Sequence, residues 1–492
     1  MRRHARSIAG AAVIAGVSAD TLLRGGTIRL GLALWVVTLV CAVLVIDLEN
    51  ATSGGRRQRH LLLAGMVCAV FGLVWRDSPL LYAIDCLSLL CVGALLVWHG
   101  TGASLAQLTV VESLRAAGLA AVNTLGGAAG VVRDTTDAIG KTPALASRGR
   151  AVALGGVLSV PPLVIVGSLL SSSDDVFGKL MSMAADRVGT LGSEHLFVSL
   201  VFAWLTAGWL RAAVGDQVLE TIPRVHAPRV SFATVGVPVY LLGALLALFL
   251  ATQMGMMFGG AAFLLRTAGL TAANYAREGF FQLIAASLVV LATLVATEWM
   301  LAPDDDRGRR HFRGAAILLL SLVTVLVGSA VTRLTIYVGV FGMSVDRFFA
   351  YAMIAWVLFA LATFAATTAR GRADRFAPTA LVVTVGWVAM LNIVNPEAIV
   401  VHANAARAAA GKPFDATYHA ALSADALPAL QAIAPRLDAA NCKALADSLR
   451  SAWGVHLAAS RSSGADWRST DLPLAWVRTW YTAGAVLPCS AS

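Results

Sequence analysis

The feature that most constrains this chain is a series of apolar runs with few charges, most of them about twenty residues long, separated by short clusters of arginine. A helix that crosses a bilayer needs about 20 mostly apolar residues, because its backbone must satisfy its own hydrogen bonds where no water is present. Eleven segments meet that description: 7–23, 28–46, 61–75, 79–98, 151–170, 195–214, 231–252, 280–300, 315–335, 349–369 and 377–395. Trp75, Trp98, Trp209 and Trp299 fall near proposed ends, where interfacial aromatic rings collect. Composition agrees. The 492 residues are 58% hydrophobic and 13% charged, against about 25% charged in soluble chains. A larger soluble core cannot absorb the difference, since cores stop growing at about 250–300 residues. The expected fold is all-α, a polytopic transmembrane helix bundle of about 11 spans with a small helical soluble tail at the C-terminus.

The first segment has two readings. Residues 1–19, MRRHARSIAGAAVIAGVSA, combine a basic start, a short apolar region and small residues, as a cleavable signal peptide does. A first span is the preferred reading, because Asp20 leads straight on to Leu22 and Leu23 without the character of a mature domain. Cleavage would leave 10 spans and the same later topology.

Arginine and lysine set the orientation. With a cytoplasmic N-terminus, the cytoplasmic segments carry the clusters around Arg2, Arg56, Arg115, Arg211, Arg307 and Arg370. The opposite loops carry isolated cations such as Arg24, Arg29, Arg76, Arg277, Arg333 and Arg347. The first set outnumbers the second by more than two to one, as the positive-inside rule requires. The formal charge of +10 is distributed in these clusters, which points to membrane orientation and anionic headgroups and away from a nucleic-acid groove.

Domain organisation follows: a transmembrane helical domain over 1–396 and a soluble, mainly helical tail over 397–492, on the extracytoplasmic side. Residues 99–150 form a cytoplasmic connector, read equally as an interfacial helix or as a plain link with some helix. Residues 174–187 read as a short amphipathic helix capped by Ser173 or Asp174. Asn395-Pro396-Glu397 reads as an N-cap, a proline at the first helical position and an acid in the first turn. Four of the six cysteines lie in apolar runs, where they act as small hydrophobes. Cys442 and Cys489 lie in the tail and are a candidate disulfide in an oxidising compartment.

Few motifs point to chemistry. Gly140-Lys141-Thr142 echoes a phosphate-binding loop, but Thr135 stands where its leading glycine belongs. Gly255-Met-Met-Phe-Gly259 and Gly126-Gly-Ala-Ala-Gly130 have the GxxxG spacing that lets helix backbones approach, and packing is the favoured reading for both. The sequence lacks HExxH, GxSxG, CxxC and paired-His patterns, so it offers no catalytic or metal-binding residues and implies no cofactor. Ionisable residues in or beside spans are more informative, because lipid makes them costly. The candidate polar cluster comprises Asp85 within the fourth segment and, in the outer loops, Arg76, Asp77, Asp174, Asp175, Arg277, Glu278, Arg333, Asp346 and Arg347. For each, a structural contact is favoured over a functional role.

Several stretches resemble a family of bacterial multi-pass membrane proteins known only by a domain of unknown function, of the 4153/4173 type. The most specific are Gln253-Met-Gly-Met-Met-Phe-Gly-Gly260, Leu270-Thr271 and Tyr275-Ala-Arg-Glu-Gly-Phe-Phe-Gln-Leu283. Others are Trp75-Arg-Asp-Ser-Pro79, Ser171-Ser-Ser-Asp-Asp-Val-Phe177, Arg333-Leu-Thr-Ile-Tyr337, Phe341-Gly342 and Asp346-Arg347. The resemblance continues through Asn392, Asn395-Pro396, Asn404-Ala-Ala-Arg407, Leu422-Ser-Ala-Asp-Ala-Leu-Pro-Ala-Leu430 and Asp466-Trp-Arg468. It covers residues 60 to 470 and departs where the family's acid-Pro-Val-Phe motif lacks its proline at Asp175-Val-Phe177. It implies a multi-pass architecture and supplies no catalytic residues.

The leading functional expectation is a non-enzymatic scaffold, sensor or assembly partner of the inner membrane. It would contact the lipid bilayer, and envelope proteins through its outer loops and tail. A transporter or ion-coupled carrier using Asp85, Asn392 and the Pro161-Pro162 interruption ranks second. A membrane-embedded enzyme using Asp174, Asp175 or Glu278 ranks third.

Overall fold

A computed structural model describes residues 2–24, 28–49, 55–139, 166–167, 170–189, 193–215, 218–220, 222–223, 225, 227–268, 280–302, 304–462, 467–469, 471–482 and 489. Among them the fold is helical, with a single isolated bridge between Val230 and Leu301. Close contacts divide the chain into two units. Unit 1 gathers residues 1–105, 111–224 and 464–475, and unit 2 gathers 106–110, 225–463 and 476–492.

The longer helices of unit 1 are α1 (Arg2–Leu22), α2 (Arg29–Glu49), α3 (Arg56–Trp75), α4 (Pro79–Gly100), α5 (Val110–Ile139), α6 (Asp175–Gly189) and α7 (Ser193–Ala213). Small residues let α7 meet its neighbours backbone to backbone. A Cβ on Gly16 of α1 would lie 2.2 Å from the Ser199 carbonyl oxygen. One on Gly208 would lie 2.3 Å from the Asn123 carbonyl oxygen of α5, and one on Gly100 of α4 1.9 Å from that of Ala212. The Gly126–Gly130 motif takes part in this. Gly127 faces the Gly208 backbone, and the space a side chain at Gly130 would fill holds the Arg211 guanidinium, which pairs with Asp134 at 2.6 Å. Within the connector, residues Val110–Ile139 form one continuous helix packed on α7, with Trp204 donating its indole N–H to the Leu125 carbonyl at 2.8 Å.

Unit 2 holds α8 (Phe232–Ala268), α9 (Phe280–Met300), α10 (Asp306–Phe341), α11 (Val345–Ala369) and α12 (Phe376–Val394). After these come α13 (Pro396–Ala409), α14 (Ala416–Ala420), α15 (Leu427–Ile433) and α16 (Ala439–Ser462); the last helix, α17, spans Leu472–Thr482. Asp305 ties two helix starts together, its carboxylate accepting from the N–H groups of Gly308 at 2.7 Å and Phe232 at 3.2 Å. Leu294, Val323, Ala330, Val357 and Phe364 lie at the centre of one core. A second core, built around Val401, Leu427, Leu430 and Leu445, belongs to the helices after Asn395. Cys442 and Cys489 are joined there by a disulfide with their Cα atoms 5.9 Å apart.

Among the described residues nine helices are long and apolar enough to cross a membrane, and they coincide with nine of the eleven segments read from the sequence. Of the other two, residues 7–23 lie in α1, whose Arg2, Arg3, Arg6 and Asp20 leave it short of the required hydropathy. Segment 151–170 falls outside the described residues apart from 166–167 and 170. The segment read as 315–335 is longer in the structure, because Asp306–Gly314 continue the helix with a charged first part capped by Asp305.

Candidate functional site

The richest convergence of charge in unit 1 is at the end of the bundle where α2 begins. Arg29 is the first residue of α2, and Arg76 and Asp77 occupy the turn between α3 and α4. Ser78 stands at the N-cap position of α4 and Pro79 begins the helix, so the turn is fixed in the way an N1 proline prefers. The Arg29 guanidinium donates to the backbone carbonyls of Arg76 at 2.8 Å and Asp77 at 2.7 Å. It also lies 3.4 Å from the carboxylates of both Asp77 and Asp471, with its carbon 4.9 Å from the Tyr82 ring centre. Asp471 starts α17 by accepting from the Leu474 N–H at 2.8 Å. Arg468 donates to the Arg24 carbonyl at 2.7 Å. Beside it, Asp20 pairs with Arg24 at 2.8 Å and with His195 at 2.7 Å.

One cation thus stands between two carboxylates, of which Asp471 is only 2% exposed. Burial, then the neighbouring Asp77 charge, push the Asp471 carboxyl up to about 7, while the Leu474 N–H and Arg29 pull the other way. Two acids that close cannot both ionise cheaply, so the pair holds a proton in the neutral range. The site can therefore gain or release a proton. Among the described residues no group of three or more His, Cys, Asp or Glu side chains is placed to hold a metal ion.

Of the residues singled out from the sequence, the structure brings Arg76 and Asp77 to this cluster. Asp85 lies on α4 about 10 Å along the helix from Ser78 and is fully buried. Asp174 and Asp175 start α6. The Asp174 carboxylate accepts the Phe177 N–H at 2.7 Å, so it, and not Ser173, caps the helix. Arg277 and Glu278 fall outside the described residues. The remaining three belong to unit 2.

In unit 2, Arg347 serves a joint at the end of α10. Arg347 donates to the carbonyls of Phe341 and Gly342 and stacks 4.4 Å from the Tyr337 ring centre. Arg407 donates to the carbonyls of Val338, Gly339 and Val340. Cations on the last carbonyls of a helix neutralise the negative end of its dipole. Asn404 exchanges two hydrogen bonds of 2.8 Å with the backbone of Met343 and also meets His419 at 3.2 Å. Asp346, in the first turn of α11, is exposed, whereas Arg333 is buried within α10. Asn395, at φ 53°, accepts from the Ala398 N–H and donates to the Asp425 carbonyl. Glu397 accepts from the Ser423 hydroxyl at 2.8 Å.

Sequence reasoning missed Arg29 and Asp471. Each is a single ion beside an apolar run, and its partners are far away along the chain. The polar run Asp466–Asp471 was the one available signal.

Apolar helices of membrane-spanning length, with charge gathered at their ends, define a multi-pass integral membrane protein. The profile of a domain of unknown function, DUF4153, matches residues 61–433, and the chain belongs to that family. No curated protein and no solved structure matches it.

Proposed function

We propose that this protein is a non-catalytic scaffold or assembly component of a bacterial inner membrane, with its N-terminus in the cytoplasm and residues 397–492 on the far side. The observation that carries the reading is the use made of the outer charged residues. Asp77 and Arg29 hold a turn, Asp174 caps a helix, and Arg347, Asn404 and Arg407 close the end of α10. Each of these groups is used in a structural contact. The arginine bias favours the stated orientation, and a disulfide between Cys442 and Cys489 suits an oxidising compartment.

Two measurements test this. A reporter that is active only outside the cytoplasm, fused after Ser492, is expected to be active, and a cytoplasmic result overturns the orientation. The purified protein in vesicles is expected to carry no substrate or ion flux on its own. Flux that Asp85→Asn abolishes would replace the scaffold with a carrier.

A further inference from the structure

We infer that α3 carries a binding site for one anionic phospholipid, with the headgroup held at Arg56, Arg57 and His60 and an acyl chain lying along the outer face of the helix. A cavity of about 410 Å³ opens at this end of α3, lined by Arg56, Arg57, His60 and Leu61. Nearby charge is unequally shared. Asp47 on α2 takes Arg59 as its direct partner, lies 3.6 Å from His60, and offers its backbone carbonyl to Arg56 at 3.4 Å. Arg57 is exposed and makes no ion pair among the described residues. Among the described residues Arg57 therefore brings to the cavity a positive charge that no carboxylate there offsets.

What lies beneath distinguishes a lipid from a free anion. Arg57, Leu61, Ala64, Cys68, Phe71 and Trp75 follow one another at alternating steps of four and three, so they share one face of α3. The apolar members are exposed, Leu61 at 60% and Phe71 at 56%. From Leu61 to Phe71 the helix rises about 15 Å, which is half of a hydrocarbon core of about 30 Å and so the depth of one leaflet. Trp75 continues this face, stacked on Phe71 at 5.1 Å with the Arg76 guanidinium carbon 5.7 Å from its ring centre. A ligand that fits this surface is negative at the top and apolar for one leaflet below. Inorganic phosphate satisfies only the first condition.

The test uses the full-length protein in detergent, titrated with phosphatidylglycerol, phosphatidylcholine or inorganic phosphate, with bound lipid counted by native mass spectrometry. Phosphatidylglycerol is expected to bind well above phosphatidylcholine. Each arginine near a headgroup contributes about fivefold, so Arg57→Gln should weaken phosphatidylglycerol about fivefold and the double variant with Arg56→Gln about 25-fold. Leu61→Ser should weaken it too. Arg310→Gln, a cation removed elsewhere, should leave it unchanged. Unaltered thermal unfolding of Arg57→Gln confirms that the loss is one of binding. Three results would overturn the site: preference for phosphatidylglycerol persisting in the double variant, equal loss in Arg310→Gln, or displacement of the lipid by inorganic phosphate at matched concentration.

Discussion

Two buried titratable groups give the molecule opposite responses to pH. Asp471, raised to about 7 chiefly by burial and then by Asp77, binds its proton more tightly in the fold than in the unfolded chain. Its contribution is complete below the ordinary carboxyl value of 3.8 and is lost as pH rises through about 7. Backbone amides around Leu474 should therefore show lower protection, relative to their intrinsic exchange rates, at pH 8 than at pH 5, measured by hydrogen exchange and mass spectrometry. Asp471→Asn should keep the protection high at both, because the amide oxygen still caps Leu474. Replacing Arg29 by Gln has a different effect, leaving Asp77 and Asp471 without their shared cation. Breaking a buried pair in this way costs about 3–5 kcal/mol, read as a fall in the unfolding temperature.

His419 titrates the other way. Burial lowers it from 6.5 against the opposing pull of Asp415, and its ring meets Asn404 at 3.2 Å. The unfolded chain then binds the proton more readily, so stability is complete above pH 6.5 and falls as pH drops through the lowered value. Thermal unfolding at pH 7 and pH 5 should show the loss, and His419→Gln should reduce it. Neither group was legible as a site in the sequence. Asp471 ends a polar run and is shifted by Asp77, far away along the chain, while His419 sits in an Ala-rich stretch whose pattern does not show that folding buries its ring.

Among the elements, α7 shows what small residues do in a helix bundle. Gly208 meets backbone oxygens of Asn123 and Thr124 at 2.3 and 2.7 Å from an ideal Cβ, and backbone cannot swing aside as a side chain can. Gly208→Ala should separate α5 from α7 and destabilise by about 1–3 kcal/mol, the usual cost of overpacking. Gly10→Ala on α1, with nothing within 4 Å, should be neutral or stabilising by about 0.5–1 kcal/mol. Thermal unfolding of the pair compares them directly. The GxxxG spacing at 126–130 pointed to a close approach, but the backbone approach is made by the intervening Gly127 against Gly208, and Gly126 faces the Leu219 side chain. It gave no hint that Gly130 makes room for Arg211, because spacing encodes distance between helices and says nothing of which side chain enters the gap.

At the scale of the molecule, the spans were readable because lipid imposes one length and one polarity on every crossing helix. The segments at 28–46, 79–98 and 349–369 needed no tertiary information to be found, and the structure has helices over all three. Helix ends were less legible. The charged turns of α10 before Ala315 continue the helix but not the apolar signal, so 315–335 was drawn short. The helices after Asn395 are stapled by Cys442–Cys489, which closes a separation of 47 residues. By chain entropy such a bond stabilises by about 4 kcal/mol. Reduction, or Cys489→Ser, should lower the unfolding temperature of the full chain accordingly.

The left-handed Asn395 gives the joint between α12 and α13 an angular meaning. One residue added between Val394 and Pro396 would turn α13 by about 100° about its own axis. Asn404 and Arg407 would then be carried off the azimuth at which they reach Met343 and the carbonyls of Val338, Gly339 and Val340. A linker that tolerates no change of phase behaves as a key cut to one lock, and single-residue insertions there should be far more damaging than insertions beside Gly411, where nothing lies within 4 Å of an added methyl.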